Sequence, residues 1–167
     1  NLPLPDACVD AAAMALVLFF VPDPLQGVRE MVRVVRAGGT IAAYQWDLAG
    51  GGSPLQPILD AVHAGGYQSQ QPPSAWAAAL KASEDLWRSA GLVDVLTRQF
   101  EVSRTFESFD DFWRTANGSP RLRDLFASLS PAELERIKED ARGRIASAGD
   151  GPLVIKARAN AVKGRTR

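Results

Sequence analysis

The chain has 167 residues, 46% of them hydrophobic and 23% charged, and nineteen basic side chains balance nineteen acidic ones. That length suits one domain with a sizeable core, and zero formal charge points away from nucleic acid and anionic membranes as partners. The single cysteine, Cys8, excludes an internal disulfide and a thiol-rich metal site, leaving a reducing cytoplasm as the expected location.

In chain order, the first element is the apolar run Ala11–Val21. It is far short of the ~20 residues a membrane span needs, and no signal-peptide pattern is visible. The run lacks clean alternation, which predicts a strand buried on both faces of a parallel sheet. Asp23 is placed to N-cap a helix, Pro24 suits its first turn, and Gln26 stands where a capping box reaches back. Leu25, Val28, Met31, Val32 and Val35 then share one helical face. Gly38-Gly39 predicts a left-handed stop, and Thr40–Trp46 a second short strand. Strand, helix and strand make a right-handed βαβ crossover of an open α/β sheet.

After a glycine-rich connector, Gly50-Gly51-Gly52, the spacing of Leu55, Ile58, Leu59 and Val62 predicts a helix stopped by Gly65-Gly66. Tyr67–Ser74 reads as a surface loop. Trp76–Ala90 reads as a helix broken near Ser83, and Val93–Val102 as a strand. Ser108 caps a short helix carrying Phe109, Phe112 and Trp113, and Leu122–Leu129 forms another helical piece. Ser130-Pro131-Ala132-Glu133 is a capping box for a last helix striped by Leu134, Ile137, Ala141 and Ile145. A turn at Gly149-Asp150-Gly151-Pro152 leads into a final strand, Leu153–Val162, and the basic residues up to Arg167 read as a solvated end.

Several segments, in their order and spacing, resemble the second half of a class I S-adenosylmethionine-dependent methyltransferase of the ubiquinone/menaquinone type. They are Leu2-Pro3-Leu4-Pro5-Asp6, Val9-Asp10, Leu16–Pro24, Arg29-Glu30-Met31, Arg33–Gly39 and Tyr44-Gln45-Trp46-Asp47, with Ala90-Gly91-Leu92 and Ala159–Val162 extending the likeness. The resemblance implies an α/β fold, the C-terminal part of a doubly wound Rossmann-like sheet with a helical insert. It implies S-adenosylmethionine as cofactor and a small-molecule methyl acceptor as partner. By the resemblance, the family's glycine-rich cofactor loop and the acidic residue ending its second strand would stand ahead of Asn1, and no G-x-G-x-x-G occurs among the 167 residues. The expectation is therefore one incomplete domain, inactive as it stands. Without the preceding strands, the edge at Ala11–Leu18 is expected to recruit a second copy or a detached N-terminal half.

By the same resemblance, Asn1 and Leu2 would lie near the adenine, and Met14, Ala15 and Leu16 near the methionine part of the cofactor. Met14 and Leu16 read equally well as core. Phe19, Tyr44, Trp46, His63 and Trp113 are candidate linings of an apolar acceptor pocket, although aromatics at such positions commonly just fill a core. No residue is assigned as catalytic, because methyl transfer rests on alignment and exclusion of water. His63, Asp47 and Glu84 are the candidates if an acceptor needs a base. No metal site, G-x-S-x-G or H-E-x-x-H occurs. A non-catalytic interaction module on the same scaffold is the alternative; a nucleotide-sugar or NAD domain fits the Leu2–Asp6 and Asp23-Pro24 segments less well.

Overall fold

The structure, a computed structural model, describes residues 2–145 and 151–167. Four strands form one sheet in the order β1 (Val9–Ala15), β2 (Val35–Trp46), β4 (Leu153–Arg165), β3 (Val93–Phe106). β1 and β2 run parallel, as the βαβ pattern requires, while β2 and β4 run antiparallel. The chain divides into two compact units: one holds the residues up to Gly52 with Pro72–Glu101 and Arg158–Arg167, the other Ser53–Gln71 and Val102–Ala157.

In the first unit, α1 (Pro24–Val34) starts where the sequence places it. The Asp23 carboxylate accepts from the Gln26 amide at 3.0 Å; among the described residues only this half of the capping box forms. The helix stops ahead of the glycine pair. Ala7 and Cys8 donate backbone N–H bonds to the carbonyls of Arg33 and Val34, so the incoming chain satisfies those helix-end groups. Val35 is already extended and paired with Val9, and Gly38, at φ 76°, lies inside β2.

Register decides which face of the sheet is covered. Met14, Ala43 and Val162 sit in one cross-strand row, Ala12, Ile41 and Gly164 in the next, and Gln45 faces Asn160. These rows lie with Val28, Met31 and Val34 of α1 and Leu86 and Trp87 of α3 (Leu80–Ser89) in one hydrophobic cluster. The Trp87 indole is fully buried and donates to the Ile41 carbonyl at 3.2 Å. Gly164 packs closely there: a Cβ would stand 3.1 Å from that indole and 3.2 Å from Leu92, so a side chain would have to push its neighbours aside.

The opposite rows are Ala15–Tyr44–Ala161, Ala13–Ala42–Lys163 and Ala11–Thr40–Arg165. Ala11, Ala13, Ala15, Tyr44, Lys163 and Arg165 are all exposed. The expectation of a strand buried on both faces is thus corrected: β1 has one covered face and one bare face. Alanine is apolar on either side, which erased the alternation that would have shown this. The strand is also shorter than Ala11–Val21, ending at Ala15, and Leu18–Phe20 form a 3-10 turn. Leu18 is buried, so the free edge of the sheet is β1 itself rather than Ala11–Leu18.

The C-terminal residues likewise correct the sequence reading. β4 continues through Arg165, and the Thr166 hydroxyl donates to the Arg36 carbonyl at 2.6 Å, so Lys163 and Arg165 belong to the strand and are exposed on one face. The helical break falls at Ala79, between a 3-10 turn (Ala75–Ala78) and α3; Ser83 lies buried inside α3.

The second unit packs α2 (Gln56–Ala64), α4 (Phe109–Asn117), α5 (Pro120–Ser128) and α6 (Pro131–Gly143) around Phe109, Phe112, Trp113 and Leu122. Trp113 stacks between Phe109 and Phe126, with centroids at 6.2 and 5.3 Å. The capping box at Ser130 and Glu133 forms in full. Of the turn expected at Gly149-Asp150-Gly151-Pro152, Gly149 and Asp150 lie outside the described residues. No helix among the described residues is long and apolar enough to cross a membrane.

Two measurements check this packing. Trp87→Ala removes a fully buried ring and is expected to cost about 3–5 kcal/mol in urea unfolding; a loss below about 1 kcal/mol would contradict the assigned core. Glu133 accepts from the Ser130 hydroxyl at 2.6 Å, the Ser130 amide at 2.8 Å and the Tyr67 hydroxyl at 2.7 Å. These bonds, the Ser130 hydroxyl first, hold its pKa down at about 2 from an ordinary 4.5. The stabilisation is present above the unfolded value and is lost as pH falls through the folded one. The urea midpoint should therefore drop between pH 4.5 and about 2, and Glu133→Gln should flatten that drop.

Candidate functional site

Ligands of open α/β sheets sit beyond the carboxyl ends of the strands. Here those ends belong to β1 and β2, and the chain leaves both of them in unusual ways. Leu16, just past β1, adopts a left-handed backbone at φ 57°, a conformation that costs a non-glycine residue roughly 1–2 kcal/mol. Its amide donates to the Tyr44 carbonyl at 2.9 Å, which pins the kink to the end of β2. Strain of this kind persists only where surrounding structure enforces it, and it concentrates at functional positions.

Beyond the kink, the Phe20 amide closes the 3-10 turn on the Val17 carbonyl at 2.8 Å. The Ser74 amide donates to the Phe19 carbonyl at 3.0 Å, and the Ser74 hydroxyl donates to the Val21 carbonyl at 2.7 Å. The second 3-10 turn is thereby tied to the first. Val17, Phe20 and Trp76 remain exposed on these joined segments, Trp76 at 57%, and Tyr44 is exposed on the uncovered face of β2. Four large apolar side chains left in water at one end of a sheet make a candidate ligand-facing surface.

Behind it, on the covered face, lies a buried polar network. The Gln45 amide donates to the Ala77 carbonyl at 2.7 Å and to the Ser83 hydroxyl at 2.9 Å, and its own oxygen is buried with no partner. Asn160 donates to the Ala78 carbonyl at 2.9 Å and accepts from Gln99 at 3.0 Å. Asp47, at the end of β2, pairs with Arg158 at 3.2 Å and accepts from the Gly50 amide at 3.1 Å. Arg158 also donates to the Gly50 carbonyl. These bonds fix the chain as it leaves β2 and hold the second 3-10 turn against the strand ends.

The residues singled out from sequence are scattered among these features. Asn1 lies outside the described residues. Leu2 is held at α1, its amide donating to Glu30 at 3.0 Å and its carbonyl accepting from Arg33 at 3.1 Å. Glu30 and Arg33 form an ion pair at 3.0 Å, and Arg33 also holds Asp6 at 2.7 Å. The hydrogen bond from Arg33, aided by the Leu2 amide, keeps the Glu30 pKa low. Leu2 therefore sits by the start of β1, whereas Ala15 and Leu16 stand roughly 20 Å further along the strand. Met14 is half-buried on the covered face, beside α1.

Of the expected pocket residues, Phe19, Tyr44 and Trp46 belong to the first unit and His63 and Trp113 to the second. Phe19 and Trp113 are buried, Trp46 is half-buried, and Tyr44 and His63 are exposed. Among the candidate bases, Asp47 is engaged by Arg158 and Glu84 by Arg88 at 2.8 Å. Among the described residues no cluster of three metal-ligating side chains occurs. The sequence reading missed Leu16 as a strained position and missed the Gln45–Ser83–Asn160 network. An uncharged amide at Gln45 inside an apolar strand was the one available signal for the latter.

Residues 1–43 match the family model described as a methyltransferase domain. No curated protein matches the sequence. Among solved structures, the chain is similar to the YcgJ protein of Bacillus subtilis, with TM-score 0.53 and 13% identity, covering 100% of this chain and 68% of that one. It is similar to a SAM-dependent methyltransferase of Thermotoga maritima, with TM-score 0.50 and 18% identity, covering 100% of this chain and 60% of that one. A protein of Bacillus halodurans named as a methyltransferase gives TM-score 0.50 at 15% identity, with 99% and 67% of the two chains covered. At these identities the likeness is one of fold. It bears out the α/β Rossmann-like class, and the match over residues 1–43 supports the resemblance to methyltransferases in that stretch.

If Leu16 is strained by its surroundings, glycine should relieve it. Leu16→Gly is expected to leave the urea midpoint unchanged or higher, and Leu16→Ile to lower stability by roughly 1–2 kcal/mol. A large loss on Leu16→Gly would show that the side chain, rather than the kink, is what the fold uses.

Proposed function

We propose that these residues form the acceptor-facing part of an enzyme that transfers a methyl group from S-adenosylmethionine to a small molecule. The observation that carries this reading is the kinked carboxyl end of β1, joined at Leu16 to Tyr44 and lying inside the stretch that matches the methyltransferase model. The donor supplies an activated methyl group on a sulfonium sulfur. What the protein must add is alignment and a water-poor wall.

The residues present fit part of that task. The backbone of Ala15 and Leu16, held at a fixed angle, is suited to lie against the donor's methionine part. Tyr44, Phe20 and Trp76 offer apolar surface for an acceptor, and Met14 backs the site from the covered face. Asp47 and Glu84 are tied to arginines and His63 belongs to the second unit, so the reading assigns no side chain as a general base and favours an acceptor that reacts without one. The quinone-type branch and a cytoplasmic location belong to the same reading.

The glycine-rich donor loop and its acidic partner are not found within the 167 residues. The reading is therefore that this chain does not hold the donor tightly by itself, and that the edge of β1 receives a further strand, from a donor-binding segment or from a second copy. A non-catalytic interaction module remains the second reading, favoured by the bare face along Ala11, Ala13, Ala15 and Lys163.

Calorimetry with S-adenosylhomocysteine separates these. The 167 residues alone should show no tight binding, and a protein joining them to a glycine-rich donor loop should bind in the micromolar range. In that protein Tyr44→Ala should lower kcat/KM by about tenfold or more. Micromolar binding by the 167 residues alone would contradict the need for the loop; no binding in either form would favour the interaction module.

A further inference from the structure

The second unit holds a groove of about 190 Å³ between the end of α2 and α6. The buried side chains of Ala61 and Ile137 floor it, and the Tyr67 ring forms one wall. That wall is fixed by the way α2 ends. Gly66 is left-handed at φ 82°, its amide donates to the His63 carbonyl at 3.0 Å, and the Tyr67 amide donates to the Val62 carbonyl at 3.1 Å. This helix-ending turn folds the ring back over Gly65, where a Cβ would stand 3.1 Å from it. The Tyr67 hydroxyl then donates to Glu133 at 2.7 Å. One Glu133 oxygen is thus engaged by Tyr67 and the other by Ser130, so this carboxylate holds the wall in place.

Two charged side chains at the groove keep open positions. Arg136 donates through Nε to the Ala132 carbonyl at 3.3 Å, and among the described residues its terminal nitrogens meet no carboxylate. Asp140 gives Oδ2 to Arg144 at 2.9 Å, and among the described residues its Oδ1 accepts no bond. Arg136 and Asp140 stand one turn apart on α6, so both edge the groove from the same face of that helix. A lone anion at Arg136 would also face the carboxylates of Glu133 and Asp140. A lone cation at Asp140 would also face Arg136 and Arg144. A zwitterion meets each group with the opposite charge.

We propose that this groove binds a small apolar α-amino acid, with its carboxylate on Arg136 and its ammonium on Asp140. The ligand's side chain lies on Ala61 and Ile137 beside the Tyr67 ring. A cavity of ~150 Å³ takes a benzene molecule, so the space here suits a side chain of leucine's size. The inference rests on the second unit alone and does not depend on the methyl-transfer reading.

A chemical-shift titration of the 167 residues with L-leucine tests it, and roughly millimolar affinity is expected. Isocaproate lacks the ammonium and isoamylamine lacks the carboxylate; each should bind about fivefold more weakly or worse. Arg136→Gln should weaken leucine binding about fivefold and leave isoamylamine binding no weaker. Ala64→Phe fills the groove from an exposed position and should abolish leucine binding in a protein whose circular dichroism is unchanged. No leucine binding up to roughly tens of millimolar, equal binding of the three compounds, or leucine binding unaffected by both substitutions would overturn the proposal.

Discussion

The parallel pairing of β1 with β2, roofed on one side only, is the constraint from which the rest of the structure follows. Once Ala13 faces Ala42 and Ala15 faces Tyr44, the rows carrying Ile41, Ala43 and Val162 are committed to α1 and α3. The amphipathic face of α1 has a single place to bury Val28, Met31 and Val34, and the Trp87 ring closes the same layer. The small residue at Gly164 follows from this closeness, because the indole lies against it, whereas the alanines Ala11, Ala13 and Ala15 on the opposite face are exposed.

That arrangement also sets the carboxyl strand ends. A backbone left free at such an end would relax; here the Leu16 amide is bonded to the Tyr44 carbonyl, and Ser74 laces the two 3-10 turns together. The polar network under Gln45 and Asn160 holds the same region from behind, through the carbonyls of Ala77 and Ala78. Methyl transfer asks a protein for surfaces at fixed distances more than for ionisable groups. A kinked strand end beside exposed aromatic side chains, with its carboxylates already paired, is compatible with that demand.

Much of this was legible in the residues because local chemistry and packing agree there. Asp23 before Pro24, and Ser130 three positions ahead of Glu133, announced helix starts that the structure reproduces. The βαβ order and parallel pairing followed from the apolar runs either side of α1. Four features were not legible. Alanine-rich β1 conceals which face is buried, since its side chains suit either. The end of α1 is set by Ala7 and Cys8, which bond its last carbonyls from far along the chain, and no glycine signal reports that. The kink at Leu16 is imposed by a partner on β2, whereas leucine's own preference runs against it. Likewise Ser83 read as a break in the helix, because a serine within a helical run carries the same mark whether it starts a helix or, as here, lies buried and bonded to Gln45.

Thiol accessibility measures the one-sided sheet directly. In a Cys8→Ser background, single cysteines at Ala13 and Ala15 should react with a maleimide at rates near those of an unfolded chain, while one at Ala43, only 3% exposed, should be protected. Equal protection at all three positions, or a reactive cysteine at Ala43 beside protected ones on β1, would contradict the register and the packing built on it.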